Sequence, residues 1–198
     1  IYTGEDTLSL HDALPIWMLE REFTKKALEK FSKYVVSQSR ANLTRKNMKN
    51  SSKLYNSIKG HVEASRNSFS LAFEMEDYGK FQDKGVRGAA SSQRAPNSPY
   101  RFGSGTGKKG GLTNSIRAWV QQKRIQFRDL ESGKFMSYEA TSKLIARAIY
   151  MKGLYPTNFF SAPFEKGYQK LPEELIKAYN LDLESFLKYT IQQNDSKS

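Results

Sequence analysis

Hydrophobic and polar residues alternate most regularly between positions 69 and 76 of this 198-residue chain. Phe69, Leu71, Phe73 and Met75 are apolar, and the residues between them are small or charged. A period of two is typical of a β-strand with one face on a core and the other in water. We therefore predict a strand here, with Phe69, Leu71 and Phe73 as core residues.

A second strand is predicted at residues 57–64, because Ile58 and Val62 face one way and His61 faces the other. The polar residues 65–68 then form a turn, so the two strands make an antiparallel hairpin. A lone hairpin is only marginally stable in water. We therefore expect a helix to cover its apolar face.

That helix is predicted at residues 19–46, where apolar side chains recur at spacings of three and four. Its apolar face is expected to contain Leu19, Phe23, Ala27, Phe31, Tyr34 and Val35. Three further helices are predicted. The first lies around Trp119, which we expect in the core, the second runs from a cap at Ser137 to Gly153, and the third begins at Pro172. The predicted fold class is α+β, with a long N-terminal helix packed on a small antiparallel sheet, and with further helices in the C-terminal half.

A basic segment carries the strongest functional signal. Between Lys84 and Arg128 the chain has ten Lys or Arg and no Asp or Glu. Residues 87–111 are rich in Gly, Ser, Pro and Ala, a composition that buries too little surface to offset the entropy of ordering. We therefore predict a long mobile loop, and its candidate contacts to a partner or to DNA are Arg87, Arg94, Arg101, Lys108 and Lys109.

Composition narrows the classes of partner. The formal net charge of +12 indicates an acidic partner such as nucleic acid or an acidic protein surface, with solubility alone as the alternative. The absence of cysteine excludes disulfides and thiolate chemistry and fits a reducing compartment. No apolar run approaches the roughly 20 residues that cross a bilayer, so no membrane partner is expected.

Signals for an enzyme are weak. His61 lies on the polar face of a predicted strand, and His11 is the only other histidine. One histidine cannot build a histidine pair for acid–base catalysis or a histidine-rich metal site. The sequence GSGTGKK fails as a phosphate-binding loop, because three residues separate Gly103 from Gly107 and Lys109 stands where Ser or Thr is needed. We expect no catalytic residues, no metal site and no cofactor.

The two ends of the chain are expected to contribute nothing to the fold. Residues 1–17 contain TLSLHDALPI, which resembles translated sequencing-adapter read-through, so we predict a non-native or disordered leader and a native start at Met18. Residues 18–192 are then predicted to form one α+β domain. Residues 193–198 are predicted to be a disordered tail.

Four short segments share their order and spacing with a known family. They are LYNSI at 54–58, YGKFQDKGVRG at 78–88, IRAWVQQKRI at 116–125 and LIARAIYMKGLYPTNFF at 144–160. Together they resemble the neck, or tail-completion, proteins that join head to tail in long-tailed bacteriophages. The resemblance covers roughly residues 54–168. It implies an α+β subunit that forms a homo-oligomeric ring at the head–tail junction, with DNA passing through the ring.

The resemblance also implies partners and a location. The expected partners are further copies of the chain, a head-side connector and a tail-tube or tail-terminator protein, with non-specific contact to double-stranded DNA. The expected location is the virion, and the host cytoplasm during assembly. One alternative is a stand-alone basic nucleic-acid-binding protein that binds DNA tightly as a monomer. A nucleic-acid enzyme is a weaker alternative, since it needs a carboxylate cluster with metal affinity.

Overall fold

The computed structural model describes residues 21–46, 48, 52–65, 68–104 and 111–195. The chain is α+β, as predicted, with a long N-terminal helix, a small two-stranded antiparallel sheet and further helices in the C-terminal half. The elements in chain order are α1 (Glu22–Arg45), α2 (Lys53–Ser57), β1 (Lys59–Ser65), β2 (Ser68–Glu74), α3 (Tyr78–Lys84), β3 (Val86–Arg87), α4 (Gly111–Lys123), α5 (Tyr138–Lys152), β4 (Gly153–Leu154), α6 (Ser161–Tyr168) and α7 (Leu171–Asp195).

These elements pack as two compact units. Unit 1 comprises the described residues of Ile1–Val36, Gly60–Phe73 and Phe164–Ser198. Unit 2 comprises the described residues of Ser37–Lys59 and Glu74–Pro163. Each unit is therefore assembled from segments that are distant in the sequence.

In unit 1 the first half of α1 packs on the β1–β2 hairpin. The ring of Phe31 on α1 meets the ring of Phe73 on β2 edge to face, with 6.2 Å between centroids. Phe164 on α6 closes this aromatic cluster at 5.7 Å from Phe31 and 5.9 Å from Phe73. The predicted packing of a long helix on the hairpin is confirmed. Edge-to-face aromatic contacts of this kind add stability beyond the buried area.

The N-terminus of α1 is capped by a residue from α7. The carboxylate of Asp182 accepts hydrogen bonds from the backbone N–H of Phe23 and of Thr24, each at 2.9 Å, and from the Thr24 hydroxyl at 2.6 Å. The first N–H groups of a helix lack partners within it. Asp182 supplies that partner across 158 positions of sequence, and so ties the last helix to the first.

The alternation predicted in β2 is observed, but its apolar face is less enclosed than expected. Phe69, Leu71 and Phe73 are half-buried, and the residues between them are exposed. A sheet of only two strands leaves its edges open, and this explains the partial burial. Trp119 is likewise half-buried, and its neighbour Val120 is fully buried in its place.

The buried face of α1 differs from the predicted face at its start. Phe23 is 41% exposed, whereas Thr24 is buried and forms the contact with Asp182. Further along the helix the buried apolar residues are Leu28, Phe31, Val35 and Leu43. The buried stripe is therefore rotated by about one residue from the predicted one in the first turns, which corresponds to about 100°.

In unit 2 the segment before the hairpin is helical. LYNS belongs to α2, and the strand begins at Lys59 rather than at residue 57. The guanidinium of Arg40 donates to the carbonyl oxygens of Tyr55 at 3.1 Å and of Ile58 at 3.0 Å. These bonds hold α2 against the second half of α1 and bury Ile58 completely.

A buried carboxylate fixes the start of α6. Asp83 is buried and accepts hydrogen bonds from the backbone N–H groups of Phe160 at 2.8 Å and Ser161 at 3.1 Å, as well as from the Ser161 hydroxyl. Phe159 beside them is fully buried. Asn42 on α1 donates to the Phe159 carbonyl oxygen at 3.1 Å.

Helix α5 begins and ends where the sequence predicts. The Ser137 side chain accepts from the Ala140 N–H, and the N–H of Gly153 donates to the Ile149 carbonyl oxygen. No helix in the described part of the chain is long and apolar enough to cross a membrane. Residues 1–17 and residues 66 and 67 of the predicted turn lie outside the described residues, as do residues 196–198 of the predicted tail.

Candidate nucleic-acid and partner interface

The candidate site is built on the short sheet formed by β3 and β4. The two strands are antiparallel, with Val86 opposite Leu154 and Arg87 opposite Gly153. Gly153 has φ of +89°, a conformation that favours glycine. This sheet joins the segment after α3 to the end of α5, and so it holds the Arg87 backbone beside Gly153.

The chain from residue 88 to 104 packs back on this sheet. The backbone N–H of Ala89 donates to the Tyr150 carbonyl oxygen at 2.8 Å, and that of Ala90 to Met151 at 3.1 Å. Ala95 and Ser98 are buried, and the Ser98 hydroxyl donates to the Gly85 carbonyl oxygen at 2.7 Å. This packing differs from the expectation of a mobile loop over residues 87–111. Residues 105–110, with Lys108 and Lys109, lie outside the described residues.

Two of the candidate arginines lie side by side. The backbone N–H of Arg87 donates to the Tyr100 carbonyl oxygen at 2.8 Å, and the N–H of Phe102 donates to the Arg87 carbonyl oxygen at 2.9 Å. These bonds form a parallel bridge between Arg87 and Arg101. The structure therefore brings together two cations that are separated by 14 positions in the sequence.

Arg94 and Arg101 also anchor the segment that carries them. Arg94 donates to the Gly153 carbonyl oxygen at 3.0 Å and lies over the Tyr155 ring, 5.1 Å from its centroid. Arg101 is exposed and donates to the Ala89 carbonyl oxygen at 3.1 Å. A guanidinium has five N–H donors, so each retains donors that can bind a phosphate or carboxylate.

The third arginine is less accessible. Arg87 is half-buried, and its Nε lies buried without a hydrogen-bond partner. Within the described ranges none of Arg87, Arg94 and Arg101 forms an ion pair. In the described structure no carboxylate therefore competes with an anionic partner for these guanidinium groups.

Aromatic rings flank the arginines. Phe81 and Tyr100 meet edge to face at 4.7 Å, and Phe102 lies 5.8 Å from the Tyr150 ring. Tyr155 is 66% exposed beneath Arg94. Exposed aromatic rings beside cations suit stacking on bases as well as contact with a protein surface.

The net positive charge belongs to unit 2. Counted over the full sequence ranges of both units, unit 2 includes 21 Lys or Arg and 7 Asp or Glu, a net charge of +14. Unit 1 has 11 Lys or Arg and 13 Asp or Glu, a net charge of −2. The excess of positive charge therefore lies in one unit. This difference in charge between the units is not visible along the sequence, because the segments of the two units alternate along the chain.

Helices α4 and α5 add to this charge. Arg117, Arg147 and Lys152 are exposed on them, and Glu139 is the only acidic residue of the two helices. A hydrogen bond from Lys143, followed by the charges of Lys143 and Arg117, lowers the pKa of Glu139. Glu139 therefore stays ionised at neutral pH and offsets one positive charge.

The described part of the chain contains one histidine. His61 is exposed on β1, as predicted. Among the residues described here, no group of three or more His, Asp or Glu side chains could hold a metal ion. The described surface carries charge, hydrogen-bond donors and aromatic rings, which are groups that commonly contact anionic partners.

Sequence reasoning missed two features of the surface. Helix α5 carries an apolar stripe that includes Leu144 and Met151, and both side chains are more than 40% exposed. Helix α7 also exposes apolar residues along its length, among them Ile176 and Ile191. Periodicity marks an apolar stripe, but it does not say whether the stripe meets a core or another molecule.

Comparison of the chain with protein families, with curated proteins and with solved structures found no match.

Proposed function

We propose that this chain is a structural virion protein, a neck or tail-completion subunit that forms a ring at the head–tail junction of a long-tailed bacteriophage. One observation carries the proposal. The four segments that resemble this family all belong to unit 2, which also carries the net charge of +14. Residues that are separated in the sequence thus share one compact, basic unit.

The contacts between these segments support the proposal further. The second segment supplies β3 and the fourth supplies β4, and the two strands pair through Val86 and Leu154. The third and fourth segments supply most of α4 and α5, which pack on each other. The shared order of the segments is stronger support for the family resemblance when the segments also pack on one another in the fold.

The basic surface has a direct use in such a ring. A ring around DNA, or one seated on acidic neighbours, needs cations that neutralise phosphates or carboxylates without reading sequence. Unit 2 has such cations in excess. Their attraction to phosphates or carboxylates would weaken as salt is added, because charges are screened over about 8 Å at physiological salt. The partners in this proposal are further copies of the chain, a head-side connector and a tail-tube or tail-terminator protein. The protein would act in the virion and, during assembly, in the host cytoplasm.

The test is head–tail joining by a charge-reversed variant. We choose Arg101→Glu, Lys108→Glu and Lys109→Glu together, and keep Arg94 because it anchors the backbone at Gly153. The variant is expected to remain folded, with a melting temperature lowered only slightly by loss of the exposed hydrogen bond from Arg101 to Ala89, and to fail to join purified heads to tails. Normal joining by this folded variant would contradict the proposed role of the basic segment.

A matched control makes the same change of charge on unit 1. Lys33, Lys166 and Lys170 are exposed there, and none of them takes part in an ion pair in the described structure. Reversing all three alters the net charge of the protein equally. This control should join heads to tails normally, because the effect is expected to depend on unit 2 and not on net charge.

The charge of unit 2 also favours the alternative of a stand-alone nucleic-acid-binding protein. That function requires tight binding of double-stranded DNA by the monomer, with an affinity that falls steeply as salt rises. Fluorescence titration of a DNA duplex at several salt concentrations measures both quantities. Tight monomeric binding together with failure to join heads to tails would favour the alternative over the neck function.

A further inference from the structure

Helix α7 carries two separate apolar stripes. One contains Leu171 and Ala178, which are buried against unit 1 on the same side as Asp182. The other is exposed and consists of Ile176, Tyr179, Leu183, Leu187 and Ile191, with exposures between 46% and 62%. With about 3.6 residues per turn, the second stripe is rotated by about 120° from the first. The fold of unit 1 therefore leaves the second stripe in solvent.

Helix α5 in unit 2 has the same arrangement. Its buried side contains Thr141, Ser142 and Ala146, and α4 packs on this helix. Leu144 and Met151 are 45% and 41% exposed, and Ala148 between them is also exposed. These three positions have the spacing of one helical face. We call the two surfaces the α7 stripe and the α5 stripe.

The helices that carry the stripes have opposite charges. Helix α7 has five acidic residues and two lysines, a net charge of −3 in a protein of +12. Helix α5 has three basic residues and one glutamate, a net charge of +2, within the unit that carries +14. Glu173 and Glu184 border the α7 stripe, and Arg147 borders the α5 stripe.

Charge decides which pairing is favourable. Contact between two α5 stripes would bring two strongly basic units together, and contact between two α7 stripes would bring two acidic helices together. Contact of an α7 stripe with an α5 stripe joins opposite charges around an apolar centre, which is the usual arrangement of a specific interface.

We infer that the α7 stripe of one copy of this chain binds the α5 stripe of a second copy. The contact uses two different surfaces, so it is head-to-tail, and each copy keeps one free stripe of each kind for further neighbours. Head-to-tail contacts build rings when the rotation between copies closes. The contact deepens the proposed function, on which its role in a neck ring rests, but self-association can be measured without phage particles.

The first experiment compares two leucines of α7 with equal exposure. Leu183 and Leu181 are both 46% exposed, but only Leu183 lies in the α7 stripe. Leu183→Lys should weaken self-association of the full chain by roughly tenfold or more, because it removes apolar contact and sets a cation against a basic helix. Leu181→Lys should leave it unchanged. Sedimentation velocity over a series of protein concentrations measures both.

Both side chains already lie in solvent, so these variants should keep the circular dichroism and melting temperature of the natural chain. Leu187→Lys serves as a second variant in the same stripe should Leu183→Lys unfold. Equal self-association of Leu181→Lys and the stripe variants would overturn the inference. So would a natural chain that remains monomeric at every concentration.

A mixing experiment separates the head-to-tail contact from its alternatives. Leu183→Lys lacks a working α7 stripe and Leu144→Glu lacks a working α5 stripe, so each alone should be monomeric. A mixture of the two should form a heterodimer and stop there, because each supplies the surface that the other lacks. Self-association of Leu144→Glu alone would indicate contact between two α7 stripes, and monomers in every sample would show that the stripes do not join two copies; both results overturn the inference.

The two proposals fail in different ways. If the mixture dimerises but the natural chain never joins heads to tails, the contact stands and the neck function is wrong. If the natural chain joins heads to tails and Leu183→Lys does so equally well while its self-association is unchanged, the neck function stands and the contact is wrong.

Discussion

The carbonyl oxygen of Met151 lies where a side chain at Gly88 would begin. A Cβ atom placed on Gly88 would lie 2.1 Å from that oxygen and 2.6 Å from the backbone carbon of Lys152. Both neighbours are backbone atoms, so they cannot move aside as a flexible side chain could. The end of α5 can approach the segment after β3 only because residue 88 has no side chain.

Gly88→Ala should therefore separate β3 from β4 and destabilise unit 2. We expect the free energy of unfolding to fall by about 2 kcal/mol or more, as in other overpacked sites. Denaturant unfolding measures it. Gly111→Ala is the matched control, since a Cβ there meets nothing within 4 Å. It should leave stability unchanged or raise it slightly, because alanine favours a helix. Equal stability of the two variants would show that β3 and β4 are not held this closely.

Removing the Asp182 carboxylate should destabilise the start of α1. It accepts three hydrogen bonds from Phe23 and Thr24, and loss of a capping residue costs about 1–2 kcal/mol. We expect Asp182→Ala to lower the free energy of unfolding by that amount. Glu165→Ala, which removes an exposed carboxylate of unit 1, should have little effect. Equal losses in the two variants would show that the cap contributes nothing specific.

Phe73→Ala should remove one of the three rings of the aromatic cluster in unit 1. Complete burial would predict a loss of about 3–5 kcal/mol. Because Phe73 is half-buried, we expect about 2 kcal/mol, measured as the free energy of unfolding. Ser70→Ala on the exposed face of β2 is the control and should be nearly neutral. An unchanged stability of Phe73→Ala would mean that this face of β2 does not pack on Phe31.

The carboxylate of Asp129 should titrate at a lower pH than usual. Hydrogen bonds from the Ser132 backbone N–H and from the Ser132 hydroxyl lower its pKa below the ordinary 3.8. Because the pKa is lower in the folded protein, the ionised carboxylate stabilises this turn at a pH above the pKa of the unfolded chain. That stabilisation is lost as the pH falls through the pKa of the folded protein. Ser132→Ala should raise the pKa of Asp129 in a carboxyl NMR titration. The distant Ser115→Ala should not change it.

Local patterns predicted the elements that depend on local interactions. The alternation at Phe69–Phe73 gives a strand, and Ser137 and Gly153 bound α5 as expected. The segment of residues 88–104 packs for a long-range reason. Its composition is that of a mobile segment, but Gly88 permits contact with residues more than 60 positions away, and Ser98 and Arg94 then bond to backbone carbonyls.

The candidate site was only partly predictable for the same reason. Arg94 and Arg101 are conspicuous cations in the sequence, but their bonds to Gly153 and Ala89 exist only in the fold. The separation of charge between the units requires knowledge of which segments pack together. The exposure of Leu144 could not be read from its helical spacing, because a core stripe and an interface stripe have the same period.

Hydrogen exchange can distinguish a packed segment from a mobile loop between residues 88 and 104. The amides of Ala89, Ala90 and Phe102 donate to backbone carbonyl oxygens, so we expect them to be protected in the isolated subunit. Ser98→Ala removes the buried hydrogen bond to Gly85 and should speed their exchange by roughly tenfold, which corresponds to about 1.4 kcal/mol. If these amides exchange as fast as in an unfolded chain, the segment is mobile as its composition suggests. Its arginines would then be ordered only by the partner that they bind.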